Sequence, residues 1–127
     1  MAIRTELSLR LQNSPGALNQ VCQKCFDESV NILALTVETN GTLRMVIDNP
    51  LRAVGTLEEK GYGVVKRDVL FMQLSNGTDS IERATRILAK MDVNVEYAYV
   101  SAASPHGTTA FVIGVEDVER VSMLTGI

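Results

Sequence analysis

The chain is short of the residues from which most enzyme sites are built. It has one histidine, His106, and two cysteines in 127 residues. It contains no P-loop, no G-x-S-x-G elbow and no histidine–carboxylate cluster. Positive charge is also sparse. No Lys/Arg cluster exceeds Lys66-Arg67 and the net charge is −3, which leaves no electrostatic footprint for nucleic acid or an anionic membrane. No apolar run approaches the ~20 residues of a membrane span. The start, Met1-Ala2-Ile3-Arg4-Thr5-Glu6, lacks the apolar stretch of a signal peptide. These absences predict a soluble, cytoplasmic, non-enzymatic protein with no cofactor, no metal, and neither nucleic acid nor membrane as partner.

The two cysteines, Cys22 and Cys25, form a C-x-x-C. A zinc site usually has four protein ligands, and there is no second pair. A redox pair normally sits at a helix N-terminus, where the dipole lowers the thiol pKa. Here Leu18, Val21, Cys22, Cys25 and Phe26 follow the i, i+3, i+4, i+7, i+8 pattern of one apolar helix face. That pattern favours buried structural thiols, with redox or metal chemistry as the alternative.

What the chain does have is a repeat. Asn13-Ser14-Pro15-Gly16-Ala17-Leu18 is followed, eighteen residues after Asn13, by Val30-Asn31-Ile32. Asn76-Gly77-Thr78-Asp79-Ser80-Ile81 is followed, eighteen residues after Asn76, by Val93-Asn94-Val95. Both pairs of segments are offset by 63 residues. A core does not require a polar turn, so its repetition hints at a site.

Local patterns order the elements. Leu7, Leu9 and Leu11 alternate with polar residues, as in a half-buried strand. Ser14 suits an N-cap and Pro15 the first helical position of a helix reaching about Glu28. Val30 to Thr39 reads as a strand, Asn40-Gly41 as a hairpin turn, and Thr42 to Ile47 as the return. Asn49 and Pro50 open a second helix with Leu51, Val54 and Leu57 inward, which Gly61 ends. Val64 to Leu74 is strand-like. A helix from about Thr78 to Met91 follows, with Ile81, Ala84, Ile87, Leu88 and Met91 inward. Strands Val93–Ala102 and Thr108–Val115 flank the turn Ser104-Pro105-His106-Gly107. A last helix carries Val118, Val121 and Leu124.

The first half is therefore β-α-β-β-α-β and the second β-α-β-β-α. The expected class is α+β: two ferredoxin-like units, residues 1–68 and 69–127, the second lacking its final strand. Each sheet should run second, third, first, fourth strand. The strand 64–74 should serve both units. The open side of Val69–Leu74 should be covered by copy one or by a second chain, which makes a homodimer the expected assembly.

A strand, then N-x-P-G-A-L opening a helix, then V-N-I opening the next strand, resembles the ACT domain family. The resemblance covers nearly the whole chain as two tandem copies. It implies small regulatory modules that bind an amino acid and modulate a partner enzyme. It also implies a ligand between two modules, with Asn13, Ser14, Pro15, Gly16, Ala17 and Leu18 as the turn. Asn31 and Ile32, or Asn94 and Val95, would form the facing wall. A glycine there allows close approach to the backbone, helix N-terminal amides suit a carboxylate, and Asn supplies donor and acceptor. Asn76, Gly77, Ser80 and Ile81 would make a weaker second site. There Thr78-Asp79 replaces Pro15-Gly16, and the Asp79 carboxylate would repel a ligand carboxylate or act as a cap. The structural reading of each Asn, as a turn former or strand starter, stands beside this. So does a ligand-free subunit acting through protein contacts alone.

Overall fold

A computed structural model describes residues 2–75, 79–102 and 107–125 of the chain. The elements are β1 (Ala2–Arg10), α1 (Ala17–Asp27), β2 (Ile32–Val37), β3 (Thr42–Ile47), α2 (Pro50–Glu59), β4 (Val65–Ser75), α3 (Ser80–Lys90), β5 (Val95–Val100), β6 (Thr108–Val115) and α4 (Val118–Thr125). They form two compact units. The N-terminal unit is Thr5–Arg67; the C-terminal unit is Asp68–Ile127 together with Met1–Arg4.

In the N-terminal unit the strand order is β2-β3-β1-β4, the ferredoxin-like order. β1 and β2 both run antiparallel to β3, with Leu9 opposite Leu43 and Leu35 opposite Met45. The core joins Leu7, Leu9, Leu43, Met45 and Ile47 of the sheet to Val21, Cys25, Ala53 and Leu57 of the helices. Alternation in β1 sends Leu7 and Leu9 to this side.

The C-terminal unit has the order β1-β4-β6-β5. Its own chain supplies β4, α3, β5, β6 and α4, and the start of β1, residues 2–4, belongs to it. The side of β4 away from β6 is thus occupied by β1. Inside this unit the Arg4 guanidinium lies 5.0 Å from the Phe71 ring centroid. Val65–Ser75 is one continuous strand that contributes to both units. The core here is Leu70, Ala84, Leu88, Phe111, Ile113, Val115, Val118 and Val121.

The C-terminal ends of α1, α2 and α3 obey one rule. In α1 the amides of Ser29 and Val30 turn back to the carbonyl oxygens of Phe26 and Cys25; in α3 those of Asp92 and Val93 reach Ala89 and Leu88. In α2 Gly61 and Tyr62 do the same to Glu58 and Leu57. Each is a Schellman motif with a left-handed residue after the helix: Ser29 at φ 58°, Gly61 at φ 90° and Asp92 at φ 55°.

Several expected inward residues face out. Phe26 is 78% exposed and Leu51 81%. Ile81 and Ile87 are exposed as well. The buried stripes are Ala17, Val21 and Cys25 in α1, Ala53 and Leu57 in α2, and Ala84 and Leu88 in α3. These are i, i+4 rows, and neighbours at i+1 or i−2 rotate out of them by about 100–200°. Asn49 caps α2 as expected, its side-chain oxygen accepting from the Arg52 amide at 3.2 Å. Asn76, Gly77, Thr78, Ser104, Pro105 and His106 lie outside the described residues, as does the side chain of Leu124. Among the described residues no helix is long and apolar enough to cross a membrane.

Candidate ligand site

The chain enters α1 through a tight turn. The Ser14 amide donates to the Gln12 carbonyl oxygen at 2.9 Å, and the Ala17 amide to the Ser14 carbonyl oxygen at 3.3 Å. Gly16 sits at φ 83°, ψ −2° and is the N-cap. The expectation of Ser14 as cap and Pro15 as first helical residue is corrected. This reversal needs one left-handed residue, and Gly16 adopts that conformation without the clash a Cβ would bring. A glycine cap has no side-chain oxygen, so the amides of the first helical turn receive no side-chain cap. Nothing lies within 4 Å of the position a Cβ on Gly16 would take. The backbone is open to the space above it.

A second wall faces this turn. The β2–β3 hairpin closes with Gly41 at φ 90° and its amide on the Glu38 carbonyl oxygen at 2.9 Å. β1 holds the hairpin twice. The Leu11 amide donates to the Gly41 carbonyl oxygen, and Arg10 Nη1 to the Asn40 carbonyl oxygen, both at 2.8 Å. Between turn and hairpin runs an open groove of about 1020 Å³. Asn13, Ser14, Gly16, Ala17 and Leu18 line one side, and Val37–Gly41 the other. Leu11 and Leu18 are packed on the core and reach the groove from below, beside Cys22.

The charges of the groove are engaged. Glu38 accepts from Arg44 Nε, and Arg44 Nη1 lies 3.4 Å from Glu6, which is only 1% exposed. Removing water from Glu6 would be costly without that cation. Cys22 is partly buried and Cys25 buried. Burial pushes both thiols above their ordinary pKa, and Cys22 raises that of Cys25 further. Cys25 is therefore a core residue, whereas Cys22 touches the groove. Among the described residues no group of three or more His, Cys, Asp or Glu could hold a metal.

The structure brings together five of the six turn residues on the groove. Pro15 shapes the turn but does not line it. Asn31 and Ile32 are elsewhere in the unit. Ile32 pairs with Ile47, while the groove is at the Val37–Leu43 end of the same ladder. Asn31 is fixed there by two bonds. Its amide donates to Asp48 Oδ1 at 2.9 Å and its carbonyl accepts from the Asp48 amide at 3.1 Å. Asn94 is exposed at the start of the C-terminal unit's β5 and lines a small cavity of about 170 Å³ with Asp92 and Arg120. Arg120 caps α3 there, donating to the Asp92 carbonyl oxygen at 3.1 Å. Val95 is 41% exposed.

The sequence reading missed the hairpin side: Arg10, Glu38, Thr39 and Asn40. The signal was available, because β1 beside β3 sets Arg10 opposite Thr42 and so brings the Asn40-Gly41 tip against the turn. The second copy's turn differs. Asp79 is the N-cap of α3 but makes no side-chain cap, and pairs with Arg83 at 3.3 Å instead. The Ser80 hydroxyl donates to the Ser75 carbonyl oxygen at 2.7 Å.

A search of curated proteins gives no match. Among solved structures, protein BT0572 from Bacteroides thetaiotaomicron is similar at 23% identity and TM-score 0.84, over 98% of this chain and 87% of that one. The ligand-free regulatory subunit of aspartate kinase from Thermus thermophilus is similar at 15% identity and TM-score 0.68, over 94% and 89%. Aspartokinase III of E. coli, in complex with lysine and aspartate, is similar at 15% identity and TM-score 0.56, over 95% of this chain and 31% of that one. At these identities the likeness is one of fold. The family model of the ACT domain pair matches residues 1–125, and the chain belongs to that family.

Proposed function

We propose that the protein is a non-enzymatic regulatory module of the cytoplasm that binds an amino acid and modulates a partner enzyme. The observation that carries this reading is the groove over Gly16. It joins a side-chain-free left-handed residue, a helix start without a side-chain cap and a polar hairpin rim. The carboxylate of the ligand is placed at the first turn of α1, where amides and dipole favour an anion. Its ammonium group is placed toward the carbonyl and amide oxygens of Asn13. The ACT pair family and the fold shared with aspartate kinase regulatory subunits support the assignment.

In this reading the modules are residues 1–68 and 69–127, and the ligand is shared between modules. Asn31 and Ile32 of one, or Asn94 and Val95 of another, face the turn of the first in a homodimer. The second copy's turn, with Asn76, Gly77, Ser80 and Ile81, is the weaker site. The Ser80–Ser75 bond favours a second reading for that copy, a ligand-free module acting through protein contacts. Equilibrium dialysis of the protein against all twenty amino acids, with bound species identified by mass spectrometry, tests the assignment. Retention of one amino acid at about one per binding site is the expected result, and retention of none refutes it. Sedimentation at micromolar concentration with and without that amino acid reads the dimer.

A further inference from the structure

We infer that the ligand taken by the groove is an α-amino acid with an uncharged, apolar side chain. The inference rests on the amino-acid reading above and adds the side-chain class. Beyond the turn that would hold the carboxylate, the groove is floored by Leu11, Leu18 and Cys22 and walled by Val37. Leu11 and Leu18 are anchored on the core, so this surface is fixed in place rather than formed by mobile side chains. An apolar ligand side chain laid on it removes apolar area from water on both partners.

The charged groups that could select a different side chain have protein partners, Glu38 in Arg44 and Arg10 in the neutral Asn40 carbonyl. The carboxylate lining the groove, Glu38, accepts from Arg44, which also faces the buried Glu6. A lysine side chain would compete with Arg44 for Glu38. The cation lining the groove, Arg10, donates to the Asn40 carbonyl that shapes the rim. An acidic side chain would have to draw Arg10 away from it. A charged side chain without its own partner in a half-buried groove loses hydration that nothing replaces.

Thermal unfolding of the full chain with each of the twenty amino acids tests the class, because a ligand that binds only the folded state raises the midpoint by mass action. The expected result is a rise with several of valine, leucine, isoleucine, methionine and phenylalanine, and none with lysine, arginine, aspartate or glutamate. Cys22 gives an independent readout. The apolar ligand that shifts the midpoint most should slow alkylation of Cys22 by N-ethylmaleimide at least tenfold. Val37 is 43% exposed, so Val37→Asp should leave the midpoint of the free protein near that of the parent and weaken that ligand at least tenfold. A rise confined to charged or small polar amino acids overturns the side-chain class and leaves the amino-acid reading standing. So does an apolar ligand indifferent to Val37→Asp. No rise with any of the twenty overturns both.

Discussion

The entrances to α1 and α3 occupy equivalent places in the repeat and differ in the residues that make them. At the first, Gly16 bends the chain through a left-handed conformation and no side chain ties the turn to itself. At the second, the residue in the place of Ala17 is Ser80, whose hydroxyl bonds back to the Ser75 carbonyl, and the residue in the place of Gly16 is Asp79, paired with Arg83. Asp79 and Ser80 thus engage partners within their own copy. The first entrance leaves backbone groups facing a groove. The exits of the two helices are alike: a left-handed residue, Ser29 or Asp92, then Val-Asn. The copies share a frame and diverge at the entrance to the first helix, where a site can be made or closed without disturbing the core.

The shared frame can be tested at its centre. Cys25 and Leu88 hold the same place in the repeat and are 1% and 2% exposed. Leu88→Ala should cost about 2–5 kcal/mol, the usual range for emptying a leucine site. Cys25→Ala removes one sulfur and should cost about 1 kcal/mol. Urea denaturation reads both, and equal losses would mean the two cores are not equivalent. A pH difference goes with this. Burial raises the folded pKa of Cys22 and Cys25, so the folded state favours the protonated thiols. The stability linked to them is fully present below the ordinary thiol pKa and is lost as pH rises past it toward the raised folded value. Cys25→Ala should flatten that alkaline decline. At neutral pH, Cys25 of the parent should resist thiol reagents.

Gly16 tests the divergence. Gly16→Val forces a β-branched residue to φ 83°, at a cost of about 1–2 kcal/mol, and fills the open space above the turn. Ligand affinity should fall about a hundredfold or more. Gly16→Asn separates the two effects, because Asn tolerates the left-handed region. Its fold should stay within about 1 kcal/mol of the parent, while its side chain still obstructs the groove. Undiminished binding by Gly16→Asn would move the ligand away from this turn. Asp79→Gly in the second copy should not create comparable binding while Ser80 still closes its turn.

Much of the frame was legible in the sequence, because it rests on period-2 and period-3.6 patterns and turn residues that local chemistry dictates. Asn49-Pro50, Asn40-Gly41 and Gly61 fell where their backbone requirements put them. Helix phase was less legible. Both Cys25 and Phe26 extend an apolar row from Leu18, and only packing decides that Phe26 lies outside. The early start of β1 was hidden for another reason. The alternation of leucines begins only at Leu7, and residues 2–6 before it carry Arg4 and Glu6. In the fold Arg4 lies over Phe71 and Glu6 is buried against Arg44. Residues 2–4 of that segment are the part of β1 that belongs to the C-terminal unit. For the site, the repeat marked the turn, but the facing hairpin depends on strand neighbours that local pattern does not state.

Ser80 offers the reverse test. Ser80→Ala puts the first copy's alanine at this position and leaves the Ser75 carbonyl without the hydroxyl. The loss should be about 1 kcal/mol, since Ser80 is only 8% exposed and water can replace the donor only partly. Ala17→Ser in the first copy is the matching change. Its hydroxyl should recover less than that, because the Gln12 carbonyl, the counterpart of the Ser75 carbonyl, already accepts from the Ser14 amide. A gain at Ala17 equal to the loss at Ser80 would mean the two turns differ in composition but not in design.

The smallest effect concerns what the copies have in common. Ser29 and Asp92 stand at φ 58° and φ 55°, where a Cβ is strained against the following carbonyl by about 1–2 kcal/mol. Glycine would relieve that strain at the expense of a more flexible unfolded chain. Ser29→Gly should stabilise the protein by about 0.5–1 kcal/mol, and Asp92→Gly by less, because Asp tolerates the left-handed region better than Ser. The two positions are in different units and share no partner, so the double variant should show the sum. Neither side chain lines the groove, so ligand affinity should not change by this route. A fall in affinity with Ser29→Gly would show that the left-handed residue does more than end the helix. Its task would then be to hold Asn31, two residues on, in place for a ligand carried on another module's turn.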